Sequence, residues 1–276
     1  MIRLGICTGS ENAKIVKDIG FDYIEMNLTA TSELSDAAFD EAAAALSSAD
    51  IRAEAFNAML PGTIRLTGLD ADLDAAKTFL ERVVPRAAQL GCKVIVFGSG
   101  KARHVPERYL KDAAWGQLVA FLKMAALITE RYDIKIAIEP LRTAESNIIN
   151  TVIEGAALAA ASYDEQVEPT RHIHTRAWDK SMLTTVGVLA DTYHMADMGE
   201  SFDSIETVRD ILLHVHTAEP TMRLYPKPDD GTDYAELFRA LGRAGYDGRV
   251  SIEGRAEDFA ADAKVGLAVL QAARNS

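Results

Sequence analysis

A single-domain (β/α)₈ barrel over residues 1–276 is the fold this sequence predicts. Three observations predict it. Eight short apolar runs alternate strictly with eight helical stretches, which implies parallel strands joined by crossover helices. A doubly wound open sheet is the rival architecture, and the Gly-x-Gly-x-x-Gly that its dinucleotide-binding form carries after the first strand is missing, which favours the barrel. The length of 276 residues suits one barrel, a fold of about 250 residues.

The first strand is read over residues 2–6 and the second over 22–27, with a helix over 11–19 between them closed by Gly20. An Ala-rich helix over 36–49 leads to a third strand at 52–56. A long helix over 72–90 closes on Gly91, and the nearly continuous apolar run 93–97 follows as the fourth strand. Gly98-Ser99-Gly100 after it reads as a tight turn. A helix over 109–132 precedes the strand 134–139, which Pro140 stops. A helix over 151–161 follows. The last three strands are 186–191, 212–216 and 249–253, with helices near 204–209, 233–244 and 258–273. Gly245-Tyr246-Asp247-Gly248 turns the chain into the last strand.

One segment breaks the rhythm. Residues 162–185 are rich in charge and His and weakly periodic, an insertion between the fifth helix and the sixth strand. A helix-to-strand loop lies on the face of a barrel opposite its active site. His172 and His174 are therefore read as surface or subunit-contact residues.

Bulk properties narrow the function. Hydrophobic residues make up 48% and charged residues 25%, so neither disorder nor a fibrous repeat is indicated. The net charge of −12, with no Lys/Arg run, argues against nucleic acid as a partner. No stretch approaches the ~20 apolar residues of a membrane span. The strand-like start at Met1 lacks the pattern of a signal peptide, and Cys7 and Cys92 suggest no disulfide framework, so a cytoplasmic location is expected.

Barrel enzymes build their sites at the C-terminal ends of the strands. Four strands here end in a metal-ligating residue type. Ile-Ala-Ile leads to Glu139, Val-Leu-Ala to Asp191, Leu-His-Val to His216 and Val-Ser-Ile to Glu253. A carboxylate straight after an apolar strand is costly to bury unless it is paired or binds a cation. Each alone has a structural explanation, such as a helix cap or a salt bridge. Four at equivalent ends of the fifth to eighth strands converge on one side of the barrel mouth. Three carboxylates and one imidazole favour an octahedral divalent cation, Mn²⁺ first and Mg²⁺ or Co²⁺ next, over a thiolate-bound zinc. Glu139 and Glu253 can then exchange a proton on opposite faces of a substrate. His194, Glu145 and Arg223 are candidate substrate contacts. His214 faces the same side as His216 but deeper, as support. Arg103 and His104 are candidate pocket residues, and an inward Arg103, Arg142 or Arg223 would favour an anionic substrate.

These motifs carry a resemblance. Ile138-Glu139-Pro140-Leu141, followed by Glu145 and Asn150-Thr151, resembles the signature of the D-tagatose 3-epimerase/D-psicose 3-epimerase branch of the xylose-isomerase-like barrels. Asp191-Thr192-Tyr193-His194-Met195, the run from His214 to Glu219, and Ile252-Glu253 are similar to that family's later motifs, in the same order. The likeness spans nearly the whole chain, from Tyr23-Ile24-Glu25 onward. It implies that Glu139, Asp191, His216 and Glu253 bind the metal and that the two glutamates are also the acid/base pair. It implies that Glu145, His194 and Arg223 contact a ketose and that C3 is epimerised through a cis-enediolate. A small carbohydrate is the expected partner, and a homo-oligomer, dimer or tetramer, the expected assembly. Hydroxypyruvate-isomerase-like or dehydratase chemistry on a small polyol or keto acid is the alternative; an endonuclease IV-like nuclease or a metal-free binding protein fits the ligand set and charge less well.

The sequence departs from the family twice. Arg142-Thr143-Ala144 stands where members often read Asn-Arg-Phe, and Arg223 follows His216 by seven residues rather than six. The 162–185 insertion also exceeds the family's usual connection.

Overall fold

The structure is a computed structural model that describes residues 1–163 and 185–276. Its eight strands are β1 (Arg3–Cys7), β2 (Tyr23–Asn27), β3 (Ala53–Asn57), β4 (Val94–Phe97), β5 (Lys135–Ile138), β6 (Val186–Asp191), β7 (Leu212–Thr217) and β8 (Arg249–Ile252). They close in sequence order, all parallel, with β8 pairing back onto β1. The predicted barrel is therefore the observed one.

Apolar side chains fall into two bodies. The larger lies between the outer faces of the strands and the surrounding helices. The smaller comprises Tyr23, Ala55, Val94, Val96, Ala137 and Leu189, alternate strand residues of the kind that point into a barrel. Its small Ala residues leave room for one large ring. Gly5 is part of that arrangement, since a Cβ there would stand 2.3 Å from the Tyr23 ring.

The long helices match the reading within three residues: Leu73–Leu90 stops at Gly91 in a left-handed conformation, as the glycine signalled. Three short helices were not foreseen: Leu28–Glu33, Gly100–Arg103 and Thr192–Asp197. Each follows a strand end, after β2, β4 and β6, and so lies at the barrel mouth. The Gly98-Ser99-Gly100 turn opens directly into the second of them, with Ser99 at φ 38°.

The insertion expected at 162–185, with His172 and His174, lies almost wholly outside the described residues. What is described at its ends is a junction. The Tyr163 hydroxyl accepts from the backbone N–H groups of Thr185, at 2.9 Å, and Val186, tying the end of helix Val152–Ala161 to the start of β6.

Candidate metal centre at the barrel mouth

The backbone ladder continues one residue beyond β5 and β8. The N–H of Glu139 donates to the Phe97 carbonyl and that of Glu253 to the Thr217 carbonyl, both at 3.1 Å. Their side chains thus start from fixed backbone. Asp191 pairs in register with His216 across β6 and β7. Asp191 also caps helix Thr192–Asp197, Oδ1 accepting from the Tyr193 N–H at 2.9 Å. The structure brings all four sequence-predicted ligands together. One atom from each of Glu139, Asp191, His216 and Glu253 lies within 4.8 Å of every other.

The charges explain how such a cluster holds. His216 Nδ1 lies 2.9 Å from Glu253 Oε2 and 3.3 Å from Glu139 Oε1. One guanidinium nitrogen of Arg223 lies 2.5 Å from Glu253 Oε2 and 3.2 Å from Asp191 Oδ2. Burial would raise the Glu253 carboxyl, but the opposing charges of His216 and Arg223 win and bring it down to about 2. Burial and the neighbouring Glu253 push Glu139 up. Asp191 is also raised, chiefly by burial, although Arg223 and His216 pull the other way. Burial alone would keep His216 neutral, yet Glu25 and Glu253 hold its pKa well above the usual value.

Arg223 reaches the cluster despite its seven-residue spacing from His216. Its loop is pinned to the segment after β8: the Arg255 N–H donates to the Arg223 carbonyl at 2.8 Å, and the Tyr225 N–H to the Arg255 carbonyl at 3.0 Å. Arg223 adopts φ 55°, an uncommon conformation for a side chain of this kind, to make that turn. Glu145 lies 4.0 Å from Arg223 and 2.8 Å from Arg142. Both guanidiniums sit over the Tyr193 ring, at 5.0 Å and 4.8 Å from its centroid. A cavity of about 660 Å³ opens above, lined among others by Asn57, Arg142, Glu145, Tyr193, Arg223 and Glu253.

His194 is in the short helix after β6, not in a loop. Its Nδ1 accepts from the Arg142 N–H at 3.4 Å. Its buried Nε2 has no hydrogen-bond partner among the described residues and lies 3.5 Å from Asp191 Oδ2 and 3.8 Å from Glu139 Oε1.

Arg103 and His104 do not line this cavity. Arg103 is fully buried and donates to the carbonyls of Phe97, Glu139 and Ile149 at 3.1, 2.8 and 3.4 Å. Burial lowers its pKa to about 10, although Glu139 opposes this. It is a structural tie, because a buried guanidinium must spend its donors on the protein. His104 is exposed, and its carbonyl accepts from Thr67 at 2.6 Å.

Three participants escaped the sequence reading. Glu25, on β2, is 1% exposed and bonds both His214 and His216. Asn57, at the end of β3, donates to Glu253 Oε1 at 2.8 Å. Gly98 leaves space for Glu139, because a Cβ there would stand 2.1 Å from Glu139 Oε2. Glu25 and Asn57 occupy inward positions in the β2 and β3 alternation, which mark them only once the strands are known to close into a barrel.

The donor set fits a divalent cation. His216 turns Nδ1 toward two carboxylates while its Nε2 is held by a third, an arrangement that needs a positive charge shared between them. A proton supplies that charge, and so does a metal ion of the oxygen-preferring kind.

Residues 13–273 match the model of the xylose isomerase-like TIM barrel family. The chain belongs to that family. It is 28% identical over 247 residues to a D-psicose 3-epimerase of Agrobacterium fabrum (strain C58 / ATCC 33970), covering 86% of this chain and 76% of the relative. A ketose 3-epimerase of Arthrobacter globiformis is 26% identical over 243 residues, covering 86% and 74%. These relatives are of the branch that the strand-end motifs resemble. Among solved structures, a D-psicose 3-epimerase crystallised in the presence of D-fructose superposes with a TM-score of 0.82 over 100% of both chains, at 22% identity. That likeness is one of fold.

Proposed function

We propose that this xylose isomerase-like barrel is a divalent-metal-dependent epimerase or isomerase of ketoses or their phosphates. The observation that carries the reading is the convergence of Glu139, Asp191, His216 and Glu253, each with one ligand-type atom within 4.8 Å of the others, at the mouth of the barrel. The ketose 3-epimerase relatives support it. Glu139, Asp191, His216 and Glu253 would hold the cation, Mn²⁺ first and Mg²⁺ or Co²⁺ next. When bound, it would polarise the ketose carbonyl and spread the charge of the enediolate.

The protein side of the chemistry is proton transfer. One of Glu139 and Glu253 removes the proton at C3, leaving a cis-enediolate, and the other returns a proton on the opposite face. Asn57 restrains Glu253 from its outer oxygen. Glu145 and Arg223 line the cavity and would meet substrate hydroxyls there; His194, buried beside Glu139 and Asp191, would join them from below. The Arg142/Tyr193/Arg223 stack is cationic and would orient the sugar from one side.

The test is incubation with Mn²⁺ in D₂O over a panel of ketoses and ketose phosphates, the products freed of metal and read by NMR. Deuterium at C3 is the expected result. Entry at C1 or C2 alone would instead identify aldose–ketose isomerisation of the hydroxypyruvate-isomerase kind. No exchange at any carbon, on any sugar of the panel, would defeat the reading.

A further inference from the structure

We propose that Glu25 is the positioning residue of the metal centre: it locks the imidazole of His216 so that Nδ1, not Nε2, is the nitrogen offered to a divalent cation. The proposal rests on the metal reading above and adds to it the atom used and the residue that selects it.

Glu25 lies on β2, two positions after Tyr23 and on the same inward side of the strand. Its carboxylate is fully buried and its two oxygens are divided between two rings. Oε2 lies 2.8 Å from His214 Nε2 and Oε1 lies 2.9 Å from His216 Nε2, and all three side chains show 0% exposure. An ionised carboxylate only accepts. Both Nε2 atoms must therefore carry the hydrogen. For His216 this leaves Nδ1 as the free ligating atom, and Nδ1 is the nitrogen that faces Glu139 and Glu253.

His214 explains why the lock holds. Its ring is edge-on to that of His216, at 81° and 5.0 Å between centroids, so both rings can aim Nε2 at one carboxylate. Its own Nδ1 is buried with no hydrogen-bond partner among the described residues. The bond to Glu25 is thus what fixes this ring's tautomer. By holding Oε2, His214 denies Glu25 the rotation that would release His216. Behind it, Ser251 Oγ lies 3.4 Å from His214 Nε2 and 2.7 Å from the Tyr23 hydroxyl. The chain Tyr23–Ser251–His214–Glu25–His216 runs from the barrel interior to the mouth. Both Glu25 oxygens are engaged by the two imidazoles, so it acts on the metal centre through His216.

Two measurements test this. Mn²⁺ is titrated calorimetrically into wild type, Glu25→Gln and Tyr23→Phe, each first checked by thermal melting. Glu25→Gln is expected to weaken Mn²⁺ binding about 10–100-fold, the usual consequence of removing an outer partner of a metal-bound His. Tyr23→Phe, at the far end of the chain, is expected to melt lower and bind Mn²⁺ as wild type does, which separates positioning from general stability. Equal affinity in wild type and folded Glu25→Gln would overturn the proposal. The second measurement needs no variant: in ¹¹³Cd-loaded wild type with ¹⁵N-labelled His, scalar coupling to His216 Nδ1 is expected. Coupling to Nε2 would overturn the proposal while leaving the metal reading intact. A wild type that binds neither Mn²⁺ nor Cd²⁺ would sink the metal reading itself, and this proposal with it.

Discussion

Glu139 is held from three directions: its own N–H in the ladder, its carbonyl against Arg103, and its carboxylate over Gly98. Gly98→Ala should displace the carboxylate, because the far end of Glu139 is the part free to move. Weaker Mn²⁺ binding and slower turnover, with an unchanged melting temperature, are the expected results; calorimetry and a melt measure both. Glu139→Gln and Glu253→Gln are each expected to abolish hydrogen exchange into the substrate while circular dichroism stays as in wild type. Full activity in either would remove the acid/base assignment. Each of Glu139, Asp191, His216 and Glu253 alone has a structural explanation; they were legible because four metal-ligating types end the fifth to eighth strands together. Glu25 was not, because Tyr-Ile-Glu-Met-Asn reads as ordinary alternation. In a barrel the second face of a strand is not solvent but the interior, and only closure turns an alternating Glu into a buried one.

Arg103 belongs to the scale of elements. It ends a four-residue helix after β4 and gathers carbonyls from the ends of β4 and β5 and from Ile149. Arg103→Met keeps the length and removes the donor of the Glu139 carbonyl, while the Phe97 and Ile149 carbonyls keep the N–H groups of Glu139 and Leu141. A buried unsatisfied group costs about 1–3 kcal/mol, and a loss of that size is expected in urea denaturation. A loss below about 1 kcal/mol would show that the tie is dispensable. The short mouth helices shared one reason for going unseen: four to six residues cannot display a helical period. Two of them are capped by the last residue of the preceding strand. Asn27 Oδ1 accepts from the Ala30 N–H at 2.8 Å, and Asp191 does the same for Tyr193. Asp191 thus serves helix and cluster at once. The Asp191→Asn variant, which keeps the cap acceptor, is expected to fold normally and to bind Mn²⁺ more weakly.

At the scale of the molecule, a ligand that binds only the folded barrel must stabilise it. Mn²⁺ at 100 times its dissociation constant adds about 2.7 kcal/mol. At roughly 2–4 °C per kcal/mol for a chain somewhat smaller than this one, the melting temperature should rise by about 5–10 °C and fall back on adding a chelator. No rise at saturating Mn²⁺, Mg²⁺ or Co²⁺ would oppose a resident cation. The strand count, the helix ends at Gly20 and Gly91, the barrel and the four converging strand ends were all determined by the sequence alone. They depend on local pattern: alternation, caps, and a polar residue at the end of an apolar run. The tertiary structure decided the rest. It turned Arg103 from a pocket residue into a buried tie, brought Arg223 to the carboxylates, and placed Glu25 beneath His216. These are contacts between residues up to about two hundred positions apart, set by which strands become neighbours when the sheet closes, and no local pattern encodes that.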